Sequence, residues 1–259
     1  MRRRKKAPML RAQRSLSSPR PASARSHRSK PVDKVMKPFY DSRHVHAHGH
    51  RSGPVVLLMN EAPGPQEAVS GIPSFGLQGA NIFHALRNSG IAWASAHTNI
   101  AWPQKGEAGQ YAQHGLKAKF LEDRSANITS TNAYPKWPKP SEYSSKFCSP
   151  ADADVLSAEN IQRIKREVAP THRVILICGA SAYLACLGCK LPRPASRERT
   201  ELSVEELEEV NDRLGSSFEK GWYMGHTRRW SLRSSETWDA LQEVARYVGW
   251  PLTGATGDQ

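Results

Sequence analysis

The sequence predicts an α/β fold, a three-layer α/β/α sandwich around a mostly parallel, four-stranded central sheet. Short apolar runs such as Val55–Met59 and Val174–Cys178 have the length and composition of strands buried on both faces. Segments with an apolar stripe at helical spacing lie between these runs. Strands that alternate with helices favour a parallel sheet, because each parallel crossover usually returns the chain through a helix.

The predicted elements follow one another along the chain. Strands are predicted at Pro54–Asn60, Trp93–Ile100, Arg173–Gly179 and Gly221–Gly225. Helices are predicted at Ala80–Ser89, Asp154–Val168, Ala180–Leu187, Ser203 to about Leu214, and Thr237–Val248. Gly90 and Pro170 are stop signals, and Ser203 and Glu206 have the spacing of a capping box. Residues 103–150, rich in Pro, Ser, Lys and Asn, are predicted to be irregular.

Residues 1–51 are predicted to form a disordered basic tail in front of a domain at 52–259. Residues 1–30 hold eleven Lys and Arg and no acid, in a chain whose net charge is +13. The tail has almost no apolar periodicity, so it cannot bury enough surface to offset the entropy of ordering. Its composition fits non-specific phosphate binding, an organelle transit peptide or a solvated extension.

A row of alternating histidines ends the tail. His44, His46, His48 and His50 would share one side of an extended chain. Imidazoles in such a row bind transition metals adventitiously. A soluble His-rich linker is the favoured interpretation, with a specific metal role as the alternative.

The sequence also gives expectations about membrane insertion, cellular compartment and oligomeric state. No run approaches the roughly 20 apolar residues of a membrane span, and no apolar segment of secretory type follows the tail charges. Four cysteines do not suggest a disulfide scaffold, so an intracellular, reducing compartment is expected. Cys178 is predicted to be buried, and the Cys186-x-x-Cys189 spacing leaves a redox or metal pair open. We expect a monomer that needs no cofactor.

Polar residues follow three of the predicted strands. Asn60 and Glu61 end the first strand, Asn99 ends the second and His226 follows the fourth. Because the carboxyl ends of parallel strands meet at one edge, where such sheets bind ligands, these residues are predicted to share a site.

The same residues carry a resemblance to a known family. Asn60-Glu-Ala-Pro-Gly-Pro-Gln-Glu67, then Gly71-x-Pro-x-x-Gly-x-x-Gly79, resembles the first motif of the iron–sulfur-type uracil-DNA glycosylases. That motif reads Gly-Glu-Ala-Pro-Gly-x-x-Glu-Asp, then Gly-x-Pro-Phe-Val-Gly-x-x-Gly. Later motifs are matched at His97-Thr-Asn99, Leu176–Ala180 and His226–Arg233, so the resemblance covers about Pro54 to Trp250. Thr131-Asn132 is a second match to the Thr-Asn motif, at a less favourable distance from Gly90.

The resemblance implies excision of uracil or a related damaged base from DNA by hydrolysis of the N-glycosidic bond, after the base is flipped into a pocket. It implies that Glu61 positions the attacking water and that His226 stabilises charge on the leaving base. Asn99 would read the base edge, Phe75 would stack on the ring, and Gly64 and Asn60 would line the pocket. Contacts to DNA are assigned to Arg228, Arg229, Trp230 and Arg233, with Trp230 as a wedge in the duplex.

The chain also departs from the family pattern. Asn60 replaces the leading Gly, and Ser74 stands where the family has Phe, with Phe75 one place later. Only Cys148 lies where a family cluster ligand would, so no iron–sulfur cluster or other metal is expected. These differences favour an alternative, a nucleic-acid-binding or regulatory module that keeps the fold without catalysis. A third class is an unrelated α/β protein that binds nucleotides or small molecules.

Overall fold

The computed structural model describes residues 44–49, 53, 55–96, 119–137, 149–192, 200–227, 230 and 235–253. Its strands are β1 (His48–Gly49), β2 (Val56–Asn60), β3 (Ile128–Asn132), β4 (Val174–Ile177), β5 (Thr200–Glu201) and β6 (Lys220–Tyr223). Its helices are α1 (Pro65–Ser70), α2 (Leu77–Asn88), α3 (Ala92–Ala96), α4 (Asp152–Leu156), α5 (Ala158–Glu167), α6 (Ala180–Leu187), α7 (Val204–Leu214) and α8 (Ser235–Val248). None of these helices is long and apolar enough to cross a membrane.

The sheet has the strand order β1-β3-β2-β4-β6-β5. The four central strands are parallel, and their register places Asn60 beside Asn132. The α/β fold with a parallel core is therefore confirmed. The predicted strand number is too small, because two-residue antiparallel strands extend the described sheet to six. Two residues are too short for a periodic sequence signal, so β1 and β5 were not predictable from pattern alone.

The second strand, predicted at 93–100, is wrong for residues 93–96, and residues 97–100 lie outside the described part of the chain. Ala92–Ala96 is a short helix in which Trp93 and Ala94 are buried. The strand that pairs with β2 is Ile128–Asn132, inside the segment predicted to be irregular. Ile128, Thr129 and Thr131 are β-branched and favour the extended backbone, whereas the alanines of α3 favour a helix.

Helices cover both faces of the sheet, which gives the predicted three layers. Val56 and Leu58 of β2 point into one core, with residues of α2, α3 and α8. Leu57 and Met59 point into the other, with residues of α4, α5, α6 and α7. This alternation along a central strand explains why β2 reads as a continuous apolar run, since both of its faces are buried.

Most helix predictions are close to the structure. The predicted α6 is confirmed to the residue, and Ser203 and Glu206 form the capping box that begins α7. The helix predicted at Asp154–Val168 is two helices, α4 and α5. Ser157 separates them, and its hydroxyl caps α5 by accepting from the backbone N–H of Asn160 at 3.3 Å.

The folded domain begins earlier than predicted. Residues 44–49 were assigned to the tail, but His48–Gly49 pairs with β3 and the side chains of Val45 and Ala47 are buried. His44, His46 and His48 are exposed, so the alternation of His with small apolar residues marks a strand-like edge segment. The boundary predicted after Arg51 is therefore wrong for these six residues.

Candidate functional site

The loop after β2 is held by a buried carboxyl group. Glu67 accepts hydrogen bonds from the backbone N–H of Gly64 at 2.6 Å and of Ser74 at 2.5 Å. Burial raises the pKa of Glu67 to about 8, against the effect of these two hydrogen bonds. Glu67 thus ties the start of α1 to the turn before α2 and fixes both ends of the motif loop.

Glu61 lies at the N-terminus of α6. Its carboxylate accepts from the backbone N–H of Ser181 at 3.2 Å, one of the helix N–H groups that have no partner within the helix. Gly179, the N-cap of α6, has φ of 102°, and a Cβ there would lie 2.4 Å from a Glu61 carboxylate oxygen. Glycine at 179 therefore makes room for this carboxylate against the sheet edge.

The structure brings Glu61 and His226 together. The Nε2 atom of His226 is 3.5 Å from the Glu61 carboxylate. β6 leads to this place because the backbone N–H of Met224 continues its pairing with β4 by donating to Ile177. The Glu61 side chain is 20% exposed and that of His226 is 46% exposed, so a substrate or water has access to both.

Two amide side chains lie next to each other at the ends of β2 and β3. Asn60 and Asn132 are register partners, and both are fully buried. Neither the Nδ2 nor the Oδ1 atom of Asn132 has a hydrogen-bond partner among the described residues. In Asn60, only the Oδ1 atom lacks a hydrogen-bond partner among the described residues. Buried polar atoms without partners are uncommon in native proteins, so this pair requires an explanation.

A network on α5 holds the backbone of Asn132 in place. The Arg163 guanidinium donates to the carbonyl oxygen of Asn132 at 2.6 Å and to the carboxylate of Glu167 at 2.6 Å. Asn160 donates to the carbonyl of Ala133, also at 2.6 Å, and Thr131 donates to Glu167. The Asn132 side chain, which no described residue pairs with, is thus carried on a strand end whose backbone is tightly fixed.

The other predicted base-recognition residues have mixed outcomes. Phe75 is partly buried and follows Ser74, which has a positive φ of 57°. Gly64 has φ of −77°, which any residue adopts, and a Cβ there would meet Glu67 only at 3.4 Å. Neither backbone conformation nor packing within the described chain therefore demands glycine at 64. Asn99 lies outside the described residues.

Trp230 is not available as a wedge in DNA. Its side chain is fully buried in the core beside α8, and the indole N–H donates to the carbonyl of Met224 at 3.0 Å. The prediction was wrong because one indole ring is equally suited to a core and to a duplex, and only the tertiary structure distinguishes them. Arg228, Arg229 and Arg233 lie outside the described residues.

Cys148, the one cysteine at a position of a family cluster ligand, lies outside the described residues, and the described cysteines do not form a cluster site. Cys178 is buried in the core of one sheet face and Cys186 in the core of the other, so they cannot ligate one cluster. Burial raises the pKa of the Cys186 thiol to about 12, which disfavours a redox role for the Cys186-x-x-Cys189 spacing. In the described part of the chain, no group of three His, Cys, Asp or Glu is arranged to hold a metal.

Sequence reasoning missed two residues of this site. Asn132 belongs to the second Thr-Asn match, and the β-branched run before it was the signal for a strand end. Glu67 belongs to the quoted motif, but nothing in the sequence showed that its carboxyl group is buried.

Comparison with known proteins adds no further constraint on this site. No protein-family model matches the chain, and no curated protein matches it at a significant level.

Proposed function

We propose that this protein is a DNA glycosylase that excises uracil or a related base by hydrolysing the N-glycosidic bond. The observation that carries the proposal is the buried amide of Asn132, which has no hydrogen-bond partner among the described residues, at the carboxyl end of the parallel sheet. This is the edge at which α/β sheets bind ligands. The proposal takes the Thr-Asn motif to be Thr131-Asn132.

An unpartnered buried amide is costly unless a ligand satisfies it. Each unsatisfied donor or acceptor costs about 1–3 kcal/mol. Uracil presents an N–H beside a carbonyl, so the Nδ2 atom of Asn132 can donate to the carbonyl oxygen while a neighbouring amide oxygen accepts the N–H. Arg163 and Asn160 fix the backbone at the end of β3, so the position of the Asn132 side chain is set before a base binds.

Glu61 and His226 are the proposed catalytic residues. Water adds its hydroxyl group to C1′ of the sugar and gives a proton to the Glu61 carboxylate. The bond from C1′ to the base nitrogen breaks, and the base leaves as an anion that later takes a proton from solvent. His226 donates a hydrogen bond to the carbonyl oxygen on which this charge develops. Their approach to 3.5 Å supports a shared role at one reaction centre.

The experiment is single-turnover excision of uracil from a labelled oligonucleotide. Asn132→Asp replaces the amide donor with a carboxylate oxygen, so we expect uracil excision to fall at least about 100-fold, roughly the loss of one strong hydrogen bond made to the substrate. His226→Ala removes a transition-state donor, which typically lowers the rate about 100- to 1000-fold. Gln242→Glu, the same amide-to-acid change on the exposed side of α8, is the matched control and should retain the wild-type rate.

Circular dichroism of each variant checks that the fold is intact. Wild-type rates in both Asn132→Asp and His226→Ala would place the chemistry elsewhere. If the wild type binds DNA but releases no base, the non-catalytic module becomes the better description. Asn60, which replaces the family's leading Gly, is the feature that already favours that alternative.

A further inference from the structure

Asn60 differs from Asn132 because its amide is locked in one orientation. Its Nδ2 atom donates to the hydroxyl of Ser130 at 2.9 Å, to the hydroxyl of Ser74 at 3.2 Å and to the carbonyl oxygen of Thr131 at 3.3 Å. A carbonyl oxygen only accepts hydrogen bonds, so the atom facing Thr131 is the nitrogen. The Oδ1 atom is consequently presented as a fixed acceptor, buried and without a partner in the described part of the chain.

The two neighbouring amides therefore have different abilities to discriminate between ligands. Turning the amide of Asn132 over breaks no hydrogen bond to a described residue, so Asn132 can satisfy a base edge of either polarity. Turning over the amide of Asn60 would place an oxygen against the Thr131 carbonyl, which cannot donate, whereas the serine hydroxyls can pair with either atom. Selectivity between an N–H and a bare ring nitrogen thus cannot come from Asn132 alone.

We propose that Asn60 determines which bases the site accepts, by accepting the ring N–H of a deaminated base. This inference rests on the proposed function, since it concerns the same site. Deamination converts a ring nitrogen acceptor and its amino group into a ring N–H beside a carbonyl, as in uracil and hypoxanthine. Cytosine and adenine keep a ring acceptor there, which would face the fixed Oδ1 atom with no proton between them. The class that Asn60 admits is therefore the bases with a ring N–H beside a carbonyl, which includes the deamination products uracil and hypoxanthine and excludes cytosine and adenine.

The packing around Asn60 supports a built site rather than an accidental gap. Ser74 and Ser130 are fully buried, and their hydroxyls are 2.7 Å apart. The backbone N–H of Ser74 is in turn held by Glu67. Three buried polar side chains of β2 and β3, with Ser74 from the turn before α2, leave the Oδ1 atom of Asn60 and the amide of Asn132 as their only unpartnered atoms among the described residues. Such a network is stable when a ligand completes its hydrogen bonds.

The experiment measures preference rather than activity alone. Single-turnover excision and binding anisotropy are compared for matched oligonucleotides that carry one uracil, hypoxanthine, cytosine or adenine. For Asn60→Ala we expect the preference for uracil over cytosine to fall about 10- to 100-fold, the range of one unsatisfied buried hydrogen bond. In Asn60→Asp, a buried and neutral carboxyl group can donate its O–H to the Thr131 carbonyl and keep an acceptor at the place of Oδ1, so it should keep the preference within about threefold, even if its rate is lower.

Further outcomes separate this inference from the proposed function. Ser130→Ala keeps the amide but removes its closest partner, so it provides a milder test, with a smaller fall in preference, if Asn60→Ala does not fold. If Asn60→Ala lowers the excision of uracil and of cytosine equally, Asn60 has a structural role and the inference is overturned.

If the wild type excises no base, the proposed function fails, and the binding measurement decides the inference. A uracil preference in binding that Asn60→Ala removes supports it, and equal binding of the four oligonucleotides overturns it.

Discussion

Burial and hydrogen bonding shift the pKa of the Glu67 carboxyl group in opposite directions. Complete burial favours its neutral form, while the two backbone N–H donors favour its charged form. Burial is the larger effect, and the pKa rises to about 8. The residue therefore supports the loop through hydrogen bonds while making the stability of that loop dependent on pH.

We predict that Glu67 makes the protein less stable as pH rises from about 4.5 to 8. Its folded pKa is about 8 and its ordinary value is 4.5, so in this range the folded state binds more protons than the unfolded state. The contribution is fully present below 4.5 and is lost as pH rises through 8, with a slope of up to about 1.4 kcal/mol per pH unit.

The measurement is the difference in unfolding free energy between the wild type and Glu67→Gln in urea, from pH 5 to 8. The difference is needed because burial lowers the pKa of His172 to about 4, which makes stability rise with pH between about 4 and 6.5. In Glu67→Gln the side chain cannot ionise, so the unfolding free energy of this variant should change with pH without the contribution of the Glu67 carboxyl group. Parallel curves for the two proteins would show that the carboxyl group does not titrate in this window.

At the scale of elements, α5 fixes the end of β3 on which the Asn132 side chain is carried. Arg163 and Glu167 are an i,i+4 pair whose side chains are 8% and 10% exposed, and Arg163 also donates to the Asn132 carbonyl. A buried ion pair is weak evidence for stability, but removal of one partner leaves an uncompensated charge. The position of the candidate base-reading amide thus depends on a helix that contributes no side chain to the unpartnered pair.

We predict that Arg163→Met lowers the unfolding free energy by about 3–5 kcal/mol, because the buried Glu167 loses its positively charged partner and the Asn132 carbonyl loses a donor. Arg166→Met, the same change at an exposed position of α5, should cost about 0.5 kcal/mol or less. Urea unfolding of both variants checks this. The double variant Arg163→Met with Glu167→Met should cost less than the sum of the single changes. Equal effects at positions 163 and 166 would mean that the network does not stabilise the domain.

At the scale of the whole molecule, the basic tail and the folded domain meet within residues 44–49. Val45 donates its backbone N–H to the carbonyl of Pro135 at 2.8 Å, and His48–Gly49 extends the sheet beside β3. The eleven Lys and Arg of residues 1–30 precede this junction. A truncation that tests the tail must therefore remove its charged residues and keep the strand that follows them.

We predict that deletion of residues 1–43 leaves the melting temperature nearly unchanged, whereas deletion of residues 1–51 lowers it by roughly 4–8 °C. The longer deletion removes β1 and the buried Val45 side chain, a loss of about 2 kcal/mol in a domain of this size. Under the proposed function, both deletions should also weaken DNA binding mainly at low salt, because phosphate binding by Lys and Arg weakens as salt rises. Equal melting temperatures for the two truncations would show that β1 adds no stability.

The sequence alone determined the alternation of strands and helices, because buried parallel strands and amphipathic helices have strong periodic signals. It also indicated Glu61 and His226, since residues that follow strand ends meet at one edge of a parallel sheet. Only the tertiary structure placed Ile128–Asn132 beside β2 and Trp230 in the core. Both depend on which segments pair and pack at long range, and short stretches such as 92–96 and 128–132 carry too little local preference to settle it. The locked amide of Asn60 was equally hidden, because its orientation depends on hydrogen bonds to residues 14 and 70 positions away.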